Sequence, residues 1–414
     1  MNKTMSGSNV VTMRENNLSL IIRLIHKAKI CSRADLAIQT GLKQATITNI
    51  VNDLIEWGLV KETGNVQGRL NRRSIGITLN NEVYRIFSIR LNRDYVTVGL
   101  FDIAGNLIDQ RQKYIDIHTD PNATMEAMCT LVKELYPENK NVLGIGVAIP
   151  GPFVPKKGKI ELMSGVPGWQ SVDITGRLEE YLSLPVFLEH DANCGALAEL
   201  WYGDIGGFED VVFVAADVGV GAGILTDGKL YRGSLGTAGE IGHMCIDYGG
   251  LKCECGNRGC LELYCSTKAL QNEYKKEAIN TSLYSNKASA SVEDILQDVV
   301  SGDAFARQVF ERIARFLAIG LVNVVNAFNP SLIILSDKLA LAGDYLIEVV
   351  SKTLKECLLS TLYDNLEIRL GSFNKESMLF GASALVLENL LHQPSISFNP
   401  MNQVQNEHVI KGNL

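Results

Sequence analysis

One histidine and three cysteines in the second half of the chain have the residue types of a metal site. His243 is followed by Cys253, Cys255 and Cys260, so four nitrogen and sulfur ligands fall within 18 residues. Imidazole and thiolates are the ligands of tetrahedral zinc, and a site closed by four protein ligands leaves no open position for catalysis. The spacing therefore predicts a structural zinc ion. A redox pair or simply buried cysteines is the alternative interpretation.

Polar side chains suited to a polyol surround this cysteine segment. Glu240 and Glu262 flank it, and the triplet Glu189-His190-Asp191 precedes it. Carboxylates accept hydrogen bonds from hydroxyl groups, and the indole of Trp169 offers a flat face to an apolar sugar surface. Each residue alone is typical of an ordinary surface or N-cap position. Their meaning depends on the elements that bring them together.

Two similar sets of strands are expected to position these residues. The first set is predicted over 84–91, 95–102 and 106–114. The second set is predicted over 210–217, 221–226 and 229–231. Tight turns at Ala104-Gly105 and Asp227-Gly228 join strands within the sets. Two related starts, each followed by helix-rich segments, predict two α/β lobes that face a cleft, and ligands bind in such clefts.

The length and composition exclude several classes of protein. A chain of 414 residues is long enough for two or three domains, and 46% hydrophobic residues exclude a wholly disordered chain. No apolar run reaches the roughly 20 residues that cross a bilayer, and residues 1–11 lack the features of a signal peptide. We therefore expect a cytoplasmic protein with no membrane partner. In that compartment, clustered cysteines point to a metal rather than to disulfides.

The net charge of −7 hides a basic N-terminal head. Residues 1–80 hold 11 lysines and arginines against 5 aspartates and glutamates, a net charge of +6. The remaining residues hold 28 against 41, a net charge of −13. This asymmetry suggests that only the head faces phosphate groups.

The sequence of the head predicts two helices, a tight turn, a third helix and a hairpin, in that order. A helix is predicted over 16–27, and Ser32 is a good N-cap for a second helix that ends at Gly41. From Lys43 a third helix carries one apolar stripe, made of Ile47, Ile50, Val51, Leu54 and Ile55. Strands are predicted over 59–62 and 75–79. This order is typical of a winged helix-turn-helix, whose second motif helix enters the DNA major groove.

Polar residues of the third helix and arginines of the wing are the candidate DNA contacts. Amide side chains can read adenine edges, and arginines can reach phosphates or the minor groove. The candidates are Lys43, Gln44, Thr46, Thr48, Asn49, Arg69, Arg72 and Arg73. The alternative is that the polar face meets only water while the helices pack on another domain.

The chain resembles the ROK family, which groups bacterial sugar kinases with sugar-responsive repressors. The segment Glu240-Ile-Gly-His243, followed by Cys253-x-Cys255-Gly-x-x-Gly-Cys260-Leu-Glu262, coincides with the family signature. The resemblance covers nearly the whole chain, and the winged helix-turn-helix resembles that of the NagC/XylR repressor branch. Supporting segments are 144–152, Pro167-Gly168-Trp169, Asp191-Ala-Asn193, Asn323, Asn326 and Asn329-Pro330.

The resemblance implies an actin-like, two-lobed ATPase fold with a sugar held between the lobes. Asp191 matches the general base of the family kinases. If zinc takes one ring nitrogen of His243, the other is free to donate to the sugar. The implied metal ligands are His243, Cys253, Cys255 and Cys260. The implied sugar contacts are His190, Asp191, Glu240, His243 and Glu262.

The nucleotide-binding elements of the family kinases are altered in this chain. Arg90-Leu-Asn92-Arg93-Asp94 stands in place of Asp-x-Gly-Gly-Thr, Asp217-Val218 in place of Gly-Thr, and Ser336-Asp337 in place of a glycine pair. Side chains and carboxylates therefore replace the backbone that approaches phosphate. We expect no kinase activity and a vestigial role for Asp191. His190 and Gly165, which stand where the kinases have asparagine, leave the sugar specificity open.

The implied fold class is α/β, with an N-terminal winged helix-turn-helix and a two-lobed body. We expect the head over 1–81, a smaller lobe over 82–193 completed by a C-terminal helix at about 381–396, and a larger lobe with the zinc loop over 194–380. The polar tail from 392 to 414 is expected to be disordered or to pair with a neighbouring chain.

The leading hypothesis is a sugar-responsive transcriptional regulator, a repressor that binds double-stranded operator DNA as a homodimer or homotetramer. Symmetric assembly follows because one helix-turn-helix reads about one half-site. The effector is a sugar or a sugar phosphate. An ATP-dependent sugar kinase with an appended DNA-binding head is the alternative, and a body that binds a partner protein is the third possibility.

Overall fold

The computed structural model describes residues 10–67, 73–115, 120–137, 141–151, 153–154, 159–160, 168–169 and 172–399. Within this part of the chain, no helix is both long and apolar enough to span a membrane. Several positions singled out in the sequence lie outside the described residues. They are Arg69, Arg72, Gly165, Pro167 and residues 400–414.

The head contains three helices and a three-stranded sheet in the order expected from the sequence. Its elements are α1 (Val10–Ala28), β1 (Cys31–Ser32), α2 (Arg33–Thr40), α3 (Gln44–Glu56), β2 (Val60–Gln67) and β3 (Arg73–Leu79). Ser32 caps α2 in a reciprocal capping box with Asp35, and Gly41 ends α2 with φ +69°. The apolar stripe of α3 is buried, except that Ile55 is half-buried.

Three features of the head differ from the expectation. α1 begins at Val10 instead of residue 16, because its first turns carry exposed residues that no apolar periodicity marks. The hairpin is longer than predicted, because a register shift between Glu62 and Asn65 continues the ladder through Thr63-Gly64. β1 is an additional strand, antiparallel to β3, that is too short to be recognised from a pattern.

The first lobe is built on a five-stranded sheet of order β10-β7-β4-β5-β6. β4, β7 and β10 are parallel, and β4, β5 and β6 are antiparallel. Its elements are β4 (Tyr84–Leu91), β5 (Tyr95–Asp102), β6 (Leu107–Tyr114), α4 (Pro121–Glu134), β7 (Asn141–Ile149), β8 (Phe153–Val154), β9 (Lys159–Ile160), α5 (Ile174–Leu182), β10 (Val186–His190) and α6 (Asp191–Trp201).

The second lobe repeats this topology. Its sheet has the order β13-β12-β11-β14-β15, again with three antiparallel strands followed by parallel ones. The repeat predicted from the two strand sets is therefore confirmed. The elements are β11 (Val211–Ala216), β12 (Val220–Thr226), β13 (Lys229–Leu230), α7 (Glu262–Cys265), α8 (Thr267–Asn280), α9 (Val292–Ser301), α10 (Ala304–Phe328), β14 (Leu332–Ser336), α11 (Asp344–Cys357), α12 (Ser360–Tyr363) and β15 (Glu367–Leu370).

The C-terminal segment returns to the first lobe as two helices, α13 (Ser377–Leu390) and α14 (Pro394–Phe398). The prediction of a single helix at about 381–396 was therefore wrong. Pro394 has no backbone N–H and begins a new helix instead of continuing α13. Phe398 is fully buried, with its ring 5.9 Å from that of Tyr84. The prediction that the tail is disordered or pairs with a neighbouring chain was therefore wrong for the first part of the tail, which packs on its own chain.

The domain boundaries stay predictions. The first, after residue 81, falls between β3 and β4, whereas the second, after residue 193, falls inside α6. α6 packs against α13 on one side and against β11 and β12 on the other. It is therefore an element that both lobes share.

Candidate functional site

The carboxyl ends of the parallel strands in both sheets meet at one cleft. β4, β7 and β10 end there from the first sheet, and β11 and β14 end there from the second. In α/β folds the loops at the carboxyl ends of strands are the usual place for ligands. The structure brings to this cleft the five residues that the family resemblance implies as sugar contacts: His190, Asp191, Glu240, His243 and Glu262.

His190 is the most enclosed polar side chain of this group. It ends β10, precedes α6 as its N-cap, and is 7% exposed. Its Nδ1 lies 3.5 Å from Asp191 Oδ1, and its Nε2 lies 3.5 Å from Glu240 Oε1. Both separations are long for hydrogen bonds, and Nδ1 has no hydrogen-bond partner among the described residues. An enclosed polar atom without a partner is costly, and the imidazole that carries it lines the cleft beside Asp191 and Glu240.

The two carboxylates beside His190 come from different elements. Asp191 is the first residue of α6, where the helix dipole favours a negative charge. Glu240 precedes the 3-10 turn Ile241–His243. Burial raises the pKa of Glu240, although His190 and His243 oppose this shift. We call His190, Asp191, Glu240, His243 and Glu262 the carboxylate half of the cleft.

Two residues that the sequence associated with a polyol do not serve one here. Trp169 is completely buried in the core of the first lobe, so its ring offers no face to a ligand. Glu189 is 2% exposed, and both carboxylate oxygens are engaged. Oε1 accepts from Asn193 Nδ2 at 3.0 Å, and Oε2 accepts from Arg232 Nε at 2.6 Å. These expectations were wrong because contacts with residues distant in the sequence decide whether each side chain is buried, paired or open to a ligand.

The four expected metal ligands lie together. One potential ligand atom from each of His243, Cys253, Cys255 and Cys260 lies within 4.8 Å of the others. Cys253 Sγ is 3.8 Å from His243 Nδ1, and Cys255 Sγ is 3.7 Å from Cys260 Sγ. A tetrahedral zinc ion with bonds of roughly 2.3 Å to sulfur holds its ligands about 3.7 Å apart. The arrangement can therefore bind a metal ion.

Glu262 connects this metal-ligand cluster to the carboxylate half. It begins α7, and its Oε1 lies 3.5 Å from both His243 Nδ1 and Cys253 Sγ. His243 belongs to both groups, since its Nδ1 faces Cys253 while the side chain lines the cleft. Cys245 and Cys265 lie outside the ligand group. A metal bound here would fix the loop that carries these two cleft residues.

The opposite half of the cleft is crossed by a buried ion pair between the two lobes. Arg90 comes from β4 and Asp337 follows β14, and their side chains are 6% and 7% exposed. Arg90 Nη2 lies 3.3 and 3.4 Å from the two Asp337 oxygens, and Nη1 donates to the carbonyl of Lys375. Burial raises the pKa of Asp337 to about 6, and the guanidinium of Arg90 opposes this shift.

Asp217 forms a second set of contacts beside this pair. Its Oδ1 accepts from Thr267 Oγ1 at 3.0 Å and lies 3.9 Å from Lys338 Nζ. Lys338 also pairs with Glu293 at 3.3 Å. Burial raises the pKa of Asp217, which Lys338 and Thr267 oppose. We call Arg90, Asp217 and Asp337 the ion-pair half of the cleft.

The sequence marked Arg90 and Asp337 only as separate departures from a kinase pattern. They are 247 residues apart, and no local pattern links them. The sequence contained one indication of this pair: the two altered nucleotide elements carry residues of opposite charge, Arg90 and Asp337. Asn92 and Arg93 also line the cleft, and Arg232, which holds Glu189, was not recognised at all.

The head presents the outer face of α3 to solvent. Lys43, Gln44 and Asn49 are exposed, whereas Thr46 and Thr48 are half-buried. The hydroxyl of Thr48 donates to the carbonyl of Gln44 at 2.9 Å, so it is already engaged. β3 begins at Arg73, while Arg69 and Arg72 of the predicted wing lie outside the described residues.

Comparison with known proteins identifies relatives that cover the head as well as the body. A xylose repressor of Caldicellulosiruptor bescii is 30% identical over 395 residues, which cover 93% of this chain and 99% of the repressor. A solved ROK family transcriptional regulator, a homologue of the E. coli MLC protein, has a TM-score of 0.80 and 26% identity. It covers 94% of this chain and 99% of its own.

A kinase of similar fold lacks a counterpart to part of this chain. The ROK family glucokinase from Streptomyces griseus, solved with glucose and AMPPNP, has a TM-score of 0.66 and 24% identity. The match covers 99% of the kinase but 73% of this chain, and it establishes likeness of fold alone. The model of the ROK family matches residues 86–389. This chain therefore belongs to the ROK family.

Proposed function

We propose that the protein is a sugar-responsive transcriptional repressor of carbohydrate-utilisation genes. The observation that carries this proposal is the contrast within the cleft: three carboxylates and two imidazoles line the carboxylate half, whereas a buried ion pair between the lobes crosses the ion-pair half. A sugar has a place to bind, whereas a nucleotide has none. The relative from Caldicellulosiruptor bescii is a xylose repressor, which supports the same function.

The sugar binds between the lobes through the carboxylate half. Asp191, Glu240 and Glu262 accept hydrogen bonds from adjacent hydroxyls, and the imidazole of His190 lies beside them in the lining of the cleft. The ion in the metal-ligand cluster is a structural zinc, since four protein ligands complete its tetrahedron. With Nδ1 of His243 directed at the zinc, Nε2 is free for a sugar hydroxyl.

The head binds operator DNA as a winged helix-turn-helix. Exposed Gln44 and Asn49 of α3 read base edges, and Lys43 meets the phosphate backbone, together with the arginines of the wing. Two heads in a homodimer or homotetramer span a palindromic operator. The protein therefore works where the DNA is, in the cytoplasm. The body has two conformational states. Sugar binding changes the operator affinity by at most the ratio of the sugar's affinities for these two states.

Fluorescence anisotropy tests this function directly. Purified protein is titrated onto DNA from upstream of its own gene and the flanking genes, with and without a panel of pentoses, hexoses and their phosphates. We expect sequence-specific binding that one sugar changes at least fivefold. Gln44→Ala serves as the DNA-contact variant, and Gln39→Ala, exposed on α2, serves as its matched control. The absence of specific binding to every fragment contradicts the proposal.

A sugar kinase with a DNA-binding head is the second candidate, and retention of Asp191 at the cleft favours it. Asp191 alone does not make a kinase, because phosphoryl transfer depends mainly on groups that position and neutralise the phosphates. The Arg90–Asp337 pair crosses the place where those groups are needed. We expect no ADP release with any sugar. Turnover that disappears in Asp191→Asn would establish the kinase instead.

A further inference from the structure

Near the end of α13, one carboxylate oxygen joins the head to the body. Glu388 Oε2 accepts a hydrogen bond from Arg23 Nη2 of α1 at 3.0 Å. The same oxygen accepts from the indole Nε1 of Trp201, the last residue of α6, also at 3.0 Å. The guanidinium carbon of Arg23 lies 4.8 Å from the centre of the Trp201 ring. Three elements from different parts of the chain therefore meet at Glu388.

His26 strengthens this joint one turn further along α1. Its ring lies 5.2 Å from that of Trp201 and 5.5 Å from that of Tyr202. Its Nε2 is enclosed and has no hydrogen-bond partner among the described residues. Gly105 packs against the Tyr202 ring so closely that a Cβ would lie 2.3 Å from it. The end of α6 is thus in contact with α1 through His26 and with the Gly105 turn through Tyr202.

The opposite end of α6 lies in the cleft. Its N-cap is His190 and its first residue is Asp191, both in the carboxylate half. An 11-residue helix is about 16 Å long, which is the separation between the two ends. The backbones of α6 and α13 are in direct contact, since a Cβ on Gly381 would lie 1.6 Å from the carbonyl oxygen of Cys194. The two helices therefore shift together or not at all.

We propose that Glu388 is the positioning residue through which the ligand state of the cleft sets the orientation of the DNA-binding head. The inference rests on the proposed function and adds the route. Ligand contacts at His190 and Asp191 displace the α6–α13 pair, and Glu388 and Trp201 transfer this displacement to Arg23 of α1. The ion pair is half-exposed, with side-chain exposures of 37% and 22%, so its loss leaves intact the apolar core that head and body share.

The test separates positioning from mere stability. Glu388→Ala removes the shared acceptor, Glu388→Gln keeps its shape without the charge, and Glu356→Ala, an exposed glutamate on α11, is the matched control. Sugar affinity is measured by calorimetry, and operator affinity by anisotropy with and without the sugar. We expect unchanged sugar affinity within twofold. The factor by which the sugar changes operator affinity should approach one in Glu388→Ala, and it should be reduced less in Glu388→Gln.

Each outcome decides the question. If Glu388 is only a structural contact, both operator affinities shift by the same factor and their ratio is preserved, which overturns the inference. If Glu388→Ala does not fold, the ratio in Glu388→Gln and in Arg23→Ala decides, and an unchanged ratio in both overturns it. A wild-type protein that binds operator DNA but never responds to a sugar overturns the proposed function and this route together. A responsive wild type with a responsive Glu388→Ala overturns the route alone.

Discussion

The two halves of the cleft contain similar residue types but use them in opposite ways. In the carboxylate half, His190 lies 3.5 Å from both Asp191 and Glu240, and its Nδ1 has no hydrogen-bond partner among the described residues. In the ion-pair half, Arg90 meets both oxygens of Asp337, and Asp217 accepts from Thr267. Polar groups without partners gain from an incoming ligand, whereas paired groups lose by accepting one.

The buried charges of the ion-pair half need partners. Arg90 and Asp337 are both almost completely enclosed, and each neutralises the other. Asp337 has φ +67°, a backbone region that favours glycine. The protein tolerates this strain because Asp337 neutralises Arg90 from the other lobe. The Arg90–Asp337 pair thus joins the two lobes across the cleft.

Removing the metal should disrupt the carboxylate half of the cleft and leave the ion-pair half unchanged. Cys255→Ser or treatment with a chelator releases the loop that carries His243 and Glu262. We expect the melting temperature to fall by about 10 °C, because metal-ligand bonds contribute several kcal/mol, and sugar binding to be lost. Elemental analysis should find about one zinc per chain. Cys357→Ser, at an exposed cysteine far along the sequence, is the control and should change neither.

Breaking the ion pair should destabilise the protein without abolishing sugar binding. Arg90→Leu leaves the buried Asp337 carboxylate unpaired, which costs about 3–5 kcal/mol, measured by thermal or denaturant unfolding. Adding Asp337→Gly removes both the orphaned charge and the backbone strain. We therefore expect the double variant to recover most of the loss. Equal stability of the single variant and the wild type would mean that the pair does not hold the lobes together.

Asp191→Asn should affect the carboxylate half alone. The substitution preserves shape but removes the charge that strengthens hydrogen bonds to hydroxyls, which is typically about 1.5–3 kcal/mol. We expect sugar affinity to fall about 10- to 100-fold by calorimetry, with little change in melting temperature. An unaltered sugar affinity would mean that the sugar binds outside the carboxylate half, which would contradict the proposed contrast between the two halves of the cleft.

Substitutions on α3 should leave both halves of the cleft unchanged. Asn49→Ala removes an exposed amide that can pair with adenine, a contact worth roughly 1–3 kcal/mol. We expect operator affinity to fall about tenfold, with the preference for the operator over unrelated DNA reduced. Thr48→Ala should have a smaller effect, because the Thr48 hydroxyl already donates to Gln44. Sugar affinity should be the same in both variants.

The pH dependence of stability should come from the joint between head and body. Enclosure lowers the pKa of His26 from its ordinary value of 6.5 to about 4, and the Ala104 backbone and Asp102 oppose this shift while Arg23 and Lys29 add to it. Between pH 6.5 and 4 the unfolded chain therefore binds more protons at His26 than the folded chain. Stability is fully present above pH 6.5 and falls as the pH is lowered to 4, by on the order of 2 kcal/mol.

His26→Phe isolates this contribution, because phenylalanine keeps the contacts with Trp201 and Tyr202 but does not titrate. We expect its melting temperature to fall less than that of the wild type between pH 7 and pH 4.5. The buried carboxylates of the cleft act in the opposite direction, since Asp217 and Glu240 have raised pKa values. A variant that loses as much stability as the wild type would assign the acid sensitivity to other groups.

The sequence alone determined the features that depend on neighbours along the chain. β4 and β5 occupy the predicted ranges 84–91 and 95–102, because a mainly apolar run bounded by polar residues is a local property of the chain. Ser32 and Gly41 mark the ends of α2 for the same reason. The sequence predicted that His243, Cys253, Cys255 and Cys260 lie together, because their residue types and short spacing allow few other uses.

Only the tertiary structure decided which polar groups remain available to a ligand. Glu189 and Asp191 are two residues apart, yet Arg232 engages one while the other faces the cleft. Trp169 is buried by the packing of the first lobe, and Arg90 meets Asp337 across 247 residues. Such contacts depend on how two sheets and their helices pack together. Local periodicity sets where strands and helices form, but hydrogen-bond satisfaction is a property of the assembled cleft.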